Sequence, residues 1–513
     1  MTWTPGAKAN EARKIVWELA PYTRGRVLDI GSGHFKALPH FIGVDNGAEW
    51  GPRGVDVKAD AHDLSLFSDG SCDAVFSSHL LEHIHYEDVS AVLKEWMRVV
   101  KMGGYLILYL PDEDQYPKVG EPGSNTDHKW NVNKERVLEA MGGLAGWDLV
   151  DYQIRSEEDE YSLFFVFRKT EKGQSQSYLS PKPEKTAAVV RYGAQGDMIQ
   201  MSSVLPWLKE NGYHVTLYCQ AGLGYEVIKH DPHIDRFIVQ NKDDVPNQFL
   251  AEFWDYTKKK YTKWINLCET VEGTLLASPG RIAWYWPNDL RAKMMDVNYL
   301  EFIHQIAEVP PPYRPKFYAT PKELEKASWQ ARQWGRKNIL WSLSGSSGHK
   351  TWPHVDAIIA RLMLTYKDVH VVLVGDESCQ ILERGWEKEK RVHRRSGVWG
   401  IRESMAFAEV ADLIIGTETG LLNAVGSVDV PKIICLSHSS EEMLTKHWKK
   451  VIPLRQPEGV GCNKQPCRQL HGSANTSSWL DCPQHEETGA AMCQFHISPD
   501  VLWAKVQGVI SGN

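Results

Sequence analysis

The 513-residue sequence lacks the long apolar runs that would place it in a membrane. No window approaches about eighteen consecutive apolar residues, so we expect no segment to span a bilayer. The stretch from Met1 to Pro21 also lacks the apolar core of a signal peptide, because charged residues run through its middle. Cysteine is scarce, and nine residues without a signal favour reduced thiols over a disulfide scaffold. We therefore expect a cytoplasmic protein.

Positive net charge is absent as well. Lys and Arg number 58 against 65 Asp and Glu, a net charge of −7, which argues against a protein that coats nucleic acid. A short basic run, 258–260 with Lys263, leaves peripheral membrane contact open, although such runs are usually solvated helix faces. Tryptophan, by contrast, is abundant at 20 residues. Its ring stacks on sugars or bases, but we expect most of these residues in cores or interfaces.

The chain divides at a polar linker. Residues 171–185 contain proline and almost nothing to bury, a composition typical of linkers. On both sides β-branched runs alternate with amphipathic stretches, which predicts an α/β architecture with parallel sheets. The predicted strands are 26–30, 41–44, 74–77, 105–109 and 162–168 before the linker, and 186–191, 214–218, 264–267, 338–342, 370–374, 413–415 and 432–436 after it. A Pro-rich stretch at 309–315 divides the second half, so the predicted domains are 1–170, 186–315 and 316–513.

A glycine turn follows the first predicted strand. The apolar run Val27–Ile30 ends in Gly31-Ser32-Gly33, which lets the backbone turn tightly and approach a ligand. Asp45 closes the second strand, a position from which a carboxylate accepts hydrogen bonds from ribose hydroxyls. Taken alone, the Gly-x-Gly turn and Asp45 are a weak signal, because a dinucleotide-binding enzyme would fit them almost as well as an enzyme with another nucleoside cofactor.

The continuation resembles the class I S-adenosyl-L-methionine-dependent methyltransferases. The matching segments fall in the family's order within about residues 24–168: VLDIGSG, FIGVDNG, VKADAHDL, DGSCDAVFSSHLLEHI and EWMRVVKMGGYLILYLPD. The resemblance implies a Rossmann-like domain that binds S-adenosyl-L-methionine as its cofactor. The cofactor-binding residues it implies are Asp29, Gly31 and Gly33 for the methionine part, Asp45 for the ribose, Asp60 and Ala61 for the adenine, and Ser78 and His79 at the end of the fourth strand.

Histidines supply the candidates for a base, which methyl transfer needs only if the acceptor must lose a proton. His79, His83 and His85 cluster after the fourth strand, and His128 lies after the fifth in NTDHKW. His83 belongs to the phrase LEHI, which opens a helix in the resembled family, so we expect it to be structural. His128 is the predicted catalytic residue on the acceptor side, with a capping or packing role equally open.

Four strand-end motifs mark the second half. They are GAQGD at 193–197, LSGSSGHKTWP at 343–353, VVLVGDE at 371–377 and ADLIIGTETGLLNA at 411–424. Small residues leave room for phosphates, backbone N–H groups face an anion, and Lys350 supplies a positive charge. The second motif is not a Walker loop, because the Gly-Lys-Ser/Thr ending is missing. From the residues alone, Asp197 is either a base or a helix cap, and the loops are either anion sites or plain connections.

In this order the four motifs resemble the heptosyltransferase-like family of GT-B glycosyltransferases, over about residues 186–510. The resemblance implies two Rossmann-like lobes, an acceptor lobe at 186–315 and a nucleotide-sugar donor lobe at 316–513. It also implies inverting, metal-independent transfer with Asp197 as general base. The donor-binding residues that follow are Gly196, Ser344, Lys350, Gly375, Glu418, Thr419, Gly420 and Asn423. The family commonly has Asp before the Thr-Gly pair and His three residues after it; here Glu418 and Asn423 stand instead, so the sugar and the nucleotide stay open.

Four cysteines gather in the tail, at Cys462, Cys467, Cys482 and Cys493. Four thiolates can hold zinc, but this irregular spacing is not that of a zinc ribbon, so unbonded thiols or a disulfide are preferred and no metal site is assigned.

The leading hypothesis is a bifunctional methyltransferase and glycosyltransferase that acts on a glycan or glycolipid. The alternatives are an enzyme that modifies DNA or a nucleobase, against which the acidic charge weighs, and a non-catalytic assembly protein built from the two folds. The second alternative draws on the turn after the apolar run Val27–Ile30, which keeps only two glycines of the resembled family's fuller Gly-rich loop, and on the changes at Glu418 and Asn423.

Overall fold

The computed structural model describes residues 11–33, 35–47, 55–144, 146–156, 159–171, 184–240, 245, 247–345, 347–471 and 482–512. The chain divides into two compact units. The first unit is Met1–Glu184 with Gln240–Lys260, and the second is Lys185–Val239 with Tyr261–Asn513.

The first unit is built on one seven-stranded sheet. Its strands are β1 (Val27–Ile30), β2 (Ile42–Asp45), β3 (Val57–Lys58), β4 (Cys72–Ser78), β5 (Val100–Pro111), β6 (Trp147–Arg155) and β7 (Ser162–Lys169). The order across the sheet is β3-β2-β1-β4-β5-β7-β6, in which β7 runs antiparallel to both of its neighbours and the other pairs are parallel. The chain order reverses between β1 and β4, and ligands of such sheets bind at the carboxyl ends of the strands beside that reversal.

Helices cover both faces of this sheet. They are α1 (Val16–Leu19), α2 (Tyr86–Val99) and α3 (Lys134–Gly142), with 3-10 helices at Glu11–Ile15 and Leu81–His83. Buried residues of α2 recur at helical spacing, at Val89, Val92, Leu93 and Trp96, and this stripe packs on one face of the sheet. The opposite face buries Phe41, Phe76 and Phe164 against α1 and the first 3-10 helix.

The second unit contains two separate parallel sheets. The first consists of β8 (Thr186–Val190), β9 (His214–Cys219), β10 (Arg236–Val239) and β11 (Lys263–Asn266) in the order β10-β9-β8-β11. The second consists of β12 (Lys337–Ser342), β13 (Val369–Val374), β14 (Val392–Arg394), β15 (Leu413–Thr417), β16 (Lys432–Cys435) and β17 (Val451–Leu454) in the order β14-β13-β12-β15-β16-β17. The predicted fold class, α/β with three Rossmann-like sheets, is confirmed.

The helices of the second unit alternate with its strands. They are α4 (Gln195–Ser202), α5 (Leu205–Glu210), α6 (Leu223–Ile228), α8 (Asn288–Met295), α9 (Tyr299–Ala307), α10 (Pro321–Trp334), α11 (Val355–Thr365), α12 (Ile401–Ala408), α13 (Gly420–Val425), α14 (Glu441–Leu444), α15 (Met492–Phe495) and α16 (Pro499–Ser511). Within the described ranges, no helix of the protein is long and apolar enough to cross a membrane.

The remaining helix, α7 (Leu250–Lys258), lies within the predicted acceptor lobe along the chain but packs in the first unit. Phe253 is buried beside Ala20 and Trp17. The buried Glu18 carboxylate accepts hydrogen bonds from Arg155 Nη1 at 2.6 Å and from Lys260 Nζ at 2.9 Å. An apolar contact and a buried ion pair thus hold this segment to the first unit, which boundaries drawn along the sequence do not reveal.

Candidate functional site

The glycine turn after β1 has the backbone that the sequence predicts. Gly31 and Gly33 both have positive φ, +77° and +52°, a region that favours glycine. A Cβ on Gly31 would lie 2.8 Å from Leu80 Cδ2, so this glycine is required by protein packing. A Cβ on Gly33 would meet no atom within 4 Å. Gly33 is therefore the glycine that leaves open space beside the strand ends.

Two aspartates hold this turn in place. Asp45 Oδ2 accepts a hydrogen bond from Gly33 N at 3.1 Å, and its Oδ1 accepts one from Gly47 N at 2.9 Å. Asp29 is buried, and its Oδ2 accepts from Ala37 N at 2.7 Å. Burial raises the pKa of Asp29 to about 7. Asp45 keeps lone pairs for a ribose, whereas Asp29 braces the loop from inside.

The other predicted cofactor residues lie after β3 and at the end of β4. Asp60 accepts hydrogen bonds from the backbone N and ring Nδ1 of His62 at 2.8 and 2.7 Å, which lower its pKa. The carbonyl of Ala61 accepts from the indole of Trp96 at 2.8 Å. The Ser78 hydroxyl is buried, and no residue in the described part of the chain pairs with it.

His79 completes this set with a left-handed backbone, φ +48°, and its N–H donates to Tyr109 O at 2.8 Å. All eight predicted residues therefore lie at or just beyond the carboxyl ends of β1 to β4. The set fits S-adenosyl-L-methionine in three respects: a diol acceptor at Asp45, open space at Gly33 and an unpaired hydroxyl at Ser78.

The predicted catalytic His128 is buried on the loop after β5. Its Nε2 lies 3.7 Å from Oε1 of Glu82, and its ring meets that of His83 edge-on at 4.9 Å. Burial lowers the pKa of His128 to about 4 and raises that of Glu82 to about 8. At neutral pH His128 is therefore an uncharged but weak base. The sequence did not single out Glu82, because LEHI reads as the opening of a helix.

The second unit contains a cavity of about 660 Å³, which is lined by residues that follow strands of both of its sheets. The predicted base and all eight predicted donor-binding residues line it: Asp197, Gly196, Ser344, Lys350, Gly375, Glu418, Thr419, Gly420 and Asn423. The fold thus brings together motifs that are far apart in the chain.

Asp197 is the third residue of α4 and has two kinds of contact. Its Oδ2 accepts from Ala194 N at 2.8 Å, which caps the helix, and its Oδ1 lies 3.1 Å from Arg191 Nη2. Arg191 also pairs with Glu272 Oε1 at 2.7 Å. Burial raises the pKa of Asp197 to about 6, although the adjacent guanidinium opposes the increase. The capping and base interpretations of Asp197 are therefore compatible.

Helices α4 and α13 meet at one side of the cavity through glycine. A Cβ on Gly420 would lie 2.8 Å from Gln195 Cβ, and one on Gly196 would lie 3.2 Å from Asn423 Nδ2. Asn423 Oδ1 accepts from Gln200 Nε2 at 3.2 Å, and its Nδ2 donates to a backbone carbonyl at 3.1 Å. Asn423 therefore joins the two helices.

Glu418 and Lys350 are buried side by side, beyond the ends of β15 and β12 respectively. The Glu418 carboxylate accepts from the backbone N of Ser437 and of Ser439, both at 3.0 Å, and lies 2.6 Å from His438 Nδ1. These contacts hold the pKa of Glu418 well below its usual range, against the effect of burial. Lys350 Nζ donates to the Glu418 carbonyl at 3.2 Å, and burial lowers its pKa. Glu418 thus positions a loop, while Lys350 places its side-chain nitrogen at the cavity wall.

The remaining predicted residues shape the wall. The Ser344 hydroxyl lies 2.7 Å from that of Thr351, and Thr419 Oγ1 accepts from Leu422 N at 3.3 Å to cap α13. A Cβ on Gly375 would lie 2.5 Å from Cys379 Sγ, so only glycine fits there.

Sequence reasoning missed several residues of this cavity, among them Glu272 and Trp399. Glu272 follows β11, the strand beside β8, but belongs to no motif. Trp399 belongs to an aromatic cluster, with its ring 5.9 Å from that of Trp334 and nearly parallel to it. The high tryptophan count was the only available signal for it.

The four tail cysteines line a second, much smaller cavity of about 20 Å³. All are free thiols, so the disulfide alternative is not what the structure has. Backbone N–H groups of Lys464 and Gln469 approach the sulfurs of Cys462 and Cys467 at 3.4 and 3.5 Å. Burial raises the pKa of Cys467 to about 12.

Comparison with known proteins bears on the predicted methyltransferase domain. Residues 42–108 match the sequence profile of a methyltransferase domain. No curated protein sequence matches the chain significantly. The profile match identifies a methyltransferase domain within the first unit.

Solved structures similar to the chain include glycosyltransferases and methyltransferases. A glycosyl transferase of family 9 from Veillonella parvula is 16% identical with a TM-score of 0.41, over 53% of this chain and 86% of that one. The E. coli ADP-heptose lipopolysaccharide heptosyltransferase II is 12% identical with a TM-score of 0.44, over 64% and 99%. An S-adenosylmethionine-dependent methyltransferase from Mesorhizobium loti is 16% identical with a TM-score of 0.26, over 32% and 99%.

Proposed function

We propose that the protein is a bifunctional transferase. Its first unit transfers a methyl group from S-adenosyl-L-methionine, and its second unit transfers a sugar from a nucleotide-sugar donor to a glycan or glycolipid. The observation that carries the second activity is the convergence of Asp197, Lys350 and the donor loops on one cavity of about 660 Å³, a size suited to a small-molecule ligand. The fusion favours a product that receives both groups.

Glycosyl transfer in this proposal begins at Asp197. Its carboxylate accepts the proton of an acceptor hydroxyl, and the oxygen attacks the anomeric carbon as the nucleotide leaves from the opposite face, which inverts the configuration. A pKa of about 6 leaves Asp197 mostly ionised at neutral pH and more basic than an exposed aspartate. Lys350 supplies positive charge where negative charge develops on the departing diphosphate, so the transfer needs no metal.

Methyl transfer depends on positioning in the first unit. S-adenosyl-L-methionine, when bound, supplies a methyl group on a positively charged sulfur. Asp45 would accept the ribose hydroxyls, the space at Gly33 would admit the chain of the ligand, and Ser78 would gain a partner for its buried hydroxyl. His128, on the loop after β5, would face the acceptor.

The decisive variant for glycosyl transfer is Asp197→Asn. An amide oxygen still accepts from Ala194 N and caps α4, but an amide is not a base at neutral pH. We expect turnover with an active nucleotide sugar to fall at least about a hundredfold, while donor affinity by calorimetry changes little. Glu403→Gln is the matched control, because Glu403 occupies the same third position of an equally long helix, where it accepts from Gly400 N at 3.1 Å.

Retained turnover in Asp197→Asn would reject Asp197 as the base. If the wild-type protein binds neither a nucleotide sugar nor S-adenosyl-L-methionine at millimolar concentration, the assembly-protein alternative replaces the proposal.

A further inference from the structure

A buried carboxylate without a partner lies beside the proposed methyl-transfer site. Glu82 sits in the 3-10 helix Leu81–His83, directly after β4, and its side chain is fully buried. Neither carboxylate oxygen has a hydrogen-bond partner among the residues that the structure describes. Burying an acidic group in this way is unfavourable unless a cation or a hydrogen-bond donor compensates, so this carboxylate calls for a compensating group.

The groups nearest to this carboxylate are imidazole nitrogens. Oε1 of Glu82 lies 3.7 Å from Nε2 of His128 and 3.6 Å from Nδ1 of His79. Both separations are too long for a hydrogen bond. The separation between Glu82 and His128 is close to the roughly 3.4 Å between two ligand atoms that each lie about 2.1 Å from one tetrahedral ion. Glu82, His83 and His128 can each present one ligand atom so that all three atoms lie within 4.8 Å of one another.

We propose that Glu82, His83 and His128 form a binding site for a divalent transition-metal ion. Two imidazoles and one carboxylate are a donor set typical of zinc or ferrous iron, and they leave at least one coordination position open. Magnesium and calcium prefer oxygen ligands throughout, so the histidines argue against them. His79 is a positioning residue: its Nε2 lies 3.0 Å from Ser162 Oγ, which fixes the ring that faces Glu82.

The position of the site gives it a role, which rests on the proposed methyltransferase function. Glu82 lies four residues after Ser78, at the sheet edge where the cofactor residues converge. The open position suits an acceptor hydroxyl, because a bound cation lowers the pKa of a coordinated oxygen. The hydroxyl proton then leaves to water, and the oxygen lone pair forms the bond to the methyl carbon. The carbon–sulfur bond breaks with its electron pair on sulfur, which becomes a neutral thioether. The acceptor class is therefore a hydroxyl compound.

The test measures metal binding in the full-length protein after treatment with a chelator. Cys467→Ser and Cys493→Ser are introduced first, so that the tail thiols do not contribute. We expect calorimetry to detect one zinc ion per chain, and Glu82→Gln and His128→Ala to weaken this binding at least tenfold. His85→Ala is the matched control, because His85 is an exposed histidine two residues from His83.

Cobalt(II) provides a second readout. Bound to imidazole and carboxylate it shows weak visible bands, whereas thiolate ligands add an intense near-ultraviolet charge-transfer band. A spectrum without the thiolate band that disappears in Glu82→Gln supports the site. Zinc affinity unchanged in Glu82→Gln, or no zinc binding in the Cys-substituted protein, overturns it.

Two control measurements separate metal binding from protein folding and from the proposed methyltransferase function. Glu82→Gln removes a buried acid without changing its shape, so its unfolding temperature in chelator should match or exceed that of the wild type. S-adenosyl-L-methionine affinity is measured in chelator. Zinc binding without cofactor binding would refute the methyltransferase function and keep the metal site. Cofactor binding without zinc binding would refute the metal site and keep the methyltransferase function.

Discussion

Asp29→Asn is expected to stabilise the first unit while weakening its cofactor site. The Asp29 side chain is buried, with 2% of its surface exposed, and burial raises its pKa to about 7. An unfolded aspartate has a pKa of about 3.9, so the folded state binds its proton about 3 pH units more tightly. Because the folded pKa of this acid is raised, its stabilising contribution is complete below about pH 4 and is lost as the pH rises toward 7.

The magnitude follows from that difference. At about 1.4 kcal/mol per pH unit, ionising Asp29 between pH 4 and 7 costs the folded state about 4 kcal/mol. Asparagine does not titrate, and its amide oxygen still accepts from Ala37 N, which Asp29 Oδ2 binds at 2.7 Å. Asp29→Asn should therefore raise the free energy of unfolding by up to about 4 kcal/mol at pH 7 and by almost nothing at pH 4.

The assay is urea denaturation at pH 4, 5.5 and 7, followed by hydrogen exchange of peptides from β1, β4 and α2. Peptide resolution is needed because the two units can unfold separately. Asp63→Asn, at an aspartate that is exposed to solvent, is the control and should give no gain in stability at pH 7, because hydrogen bonding from Ser65 lowers the pKa of Asp63. A gain that is equal at pH 4 and 7, or no gain at pH 7, would refute the reasoning. Calorimetry should show weaker S-adenosyl-L-methionine binding by Asp29→Asn.

Four further predictions concern single sites. Asp45→Ala should weaken S-adenosyl-L-methionine binding at least tenfold by calorimetry, and unchanged affinity would exclude the ribose contact. The kcat/KM of glycosyl transfer should rise with pH through about 6 as Asp197 ionises. Glu272→Gln removes a neighbouring like charge, so it should shift this rise to lower pH. An unshifted pH profile would exclude an electrostatic effect of Glu272 on Asp197. Lys350→Met should weaken binding of a nucleoside diphosphate more than binding of the nucleoside, and an equal loss would argue against a diphosphate contact. Cys467, whose pKa is raised to about 12, should react with iodoacetamide far more slowly in native than in denatured protein, and equal rates would contradict the raised pKa.

The sequence revealed every central strand of the three sheets but only one of the six edge strands, β11. The twelve predicted strands correspond to β1, β2, β4, β5, β7, β8, β9, β11, β12, β13, β15 and β16. The five that were missed, β3, β6, β10, β14 and β17, all lie at sheet edges. An edge strand has one neighbour and is less buried; β3, for example, has only two residues and neither is buried. The strand β3 therefore lacks the continuous apolar run that marks a central strand of a parallel sheet.

Site residues are also revealed unequally by the sequence. Residues of one contiguous motif can be recognised, whereas residues that become neighbours only through strand pairing cannot. Asp197 and the predicted donor-binding residues could be singled out because each lies in a contiguous motif after one strand, and the structure brings them together in one cavity. Glu272 reaches Arg191 only because β11 pairs with β8, with Asn266 opposite Val190. His128 reaches Glu82 in the same way, because the loops that carry them follow the adjacent strands β4 and β5. Glu272 belongs to no motif, and Glu82 was not singled out within its own motif; in both pairs the strand order supplies the contact. A search for the remaining functional residues should therefore proceed across the carboxyl edge of each sheet, from the loop of a recognised motif to the loop of the adjacent strand.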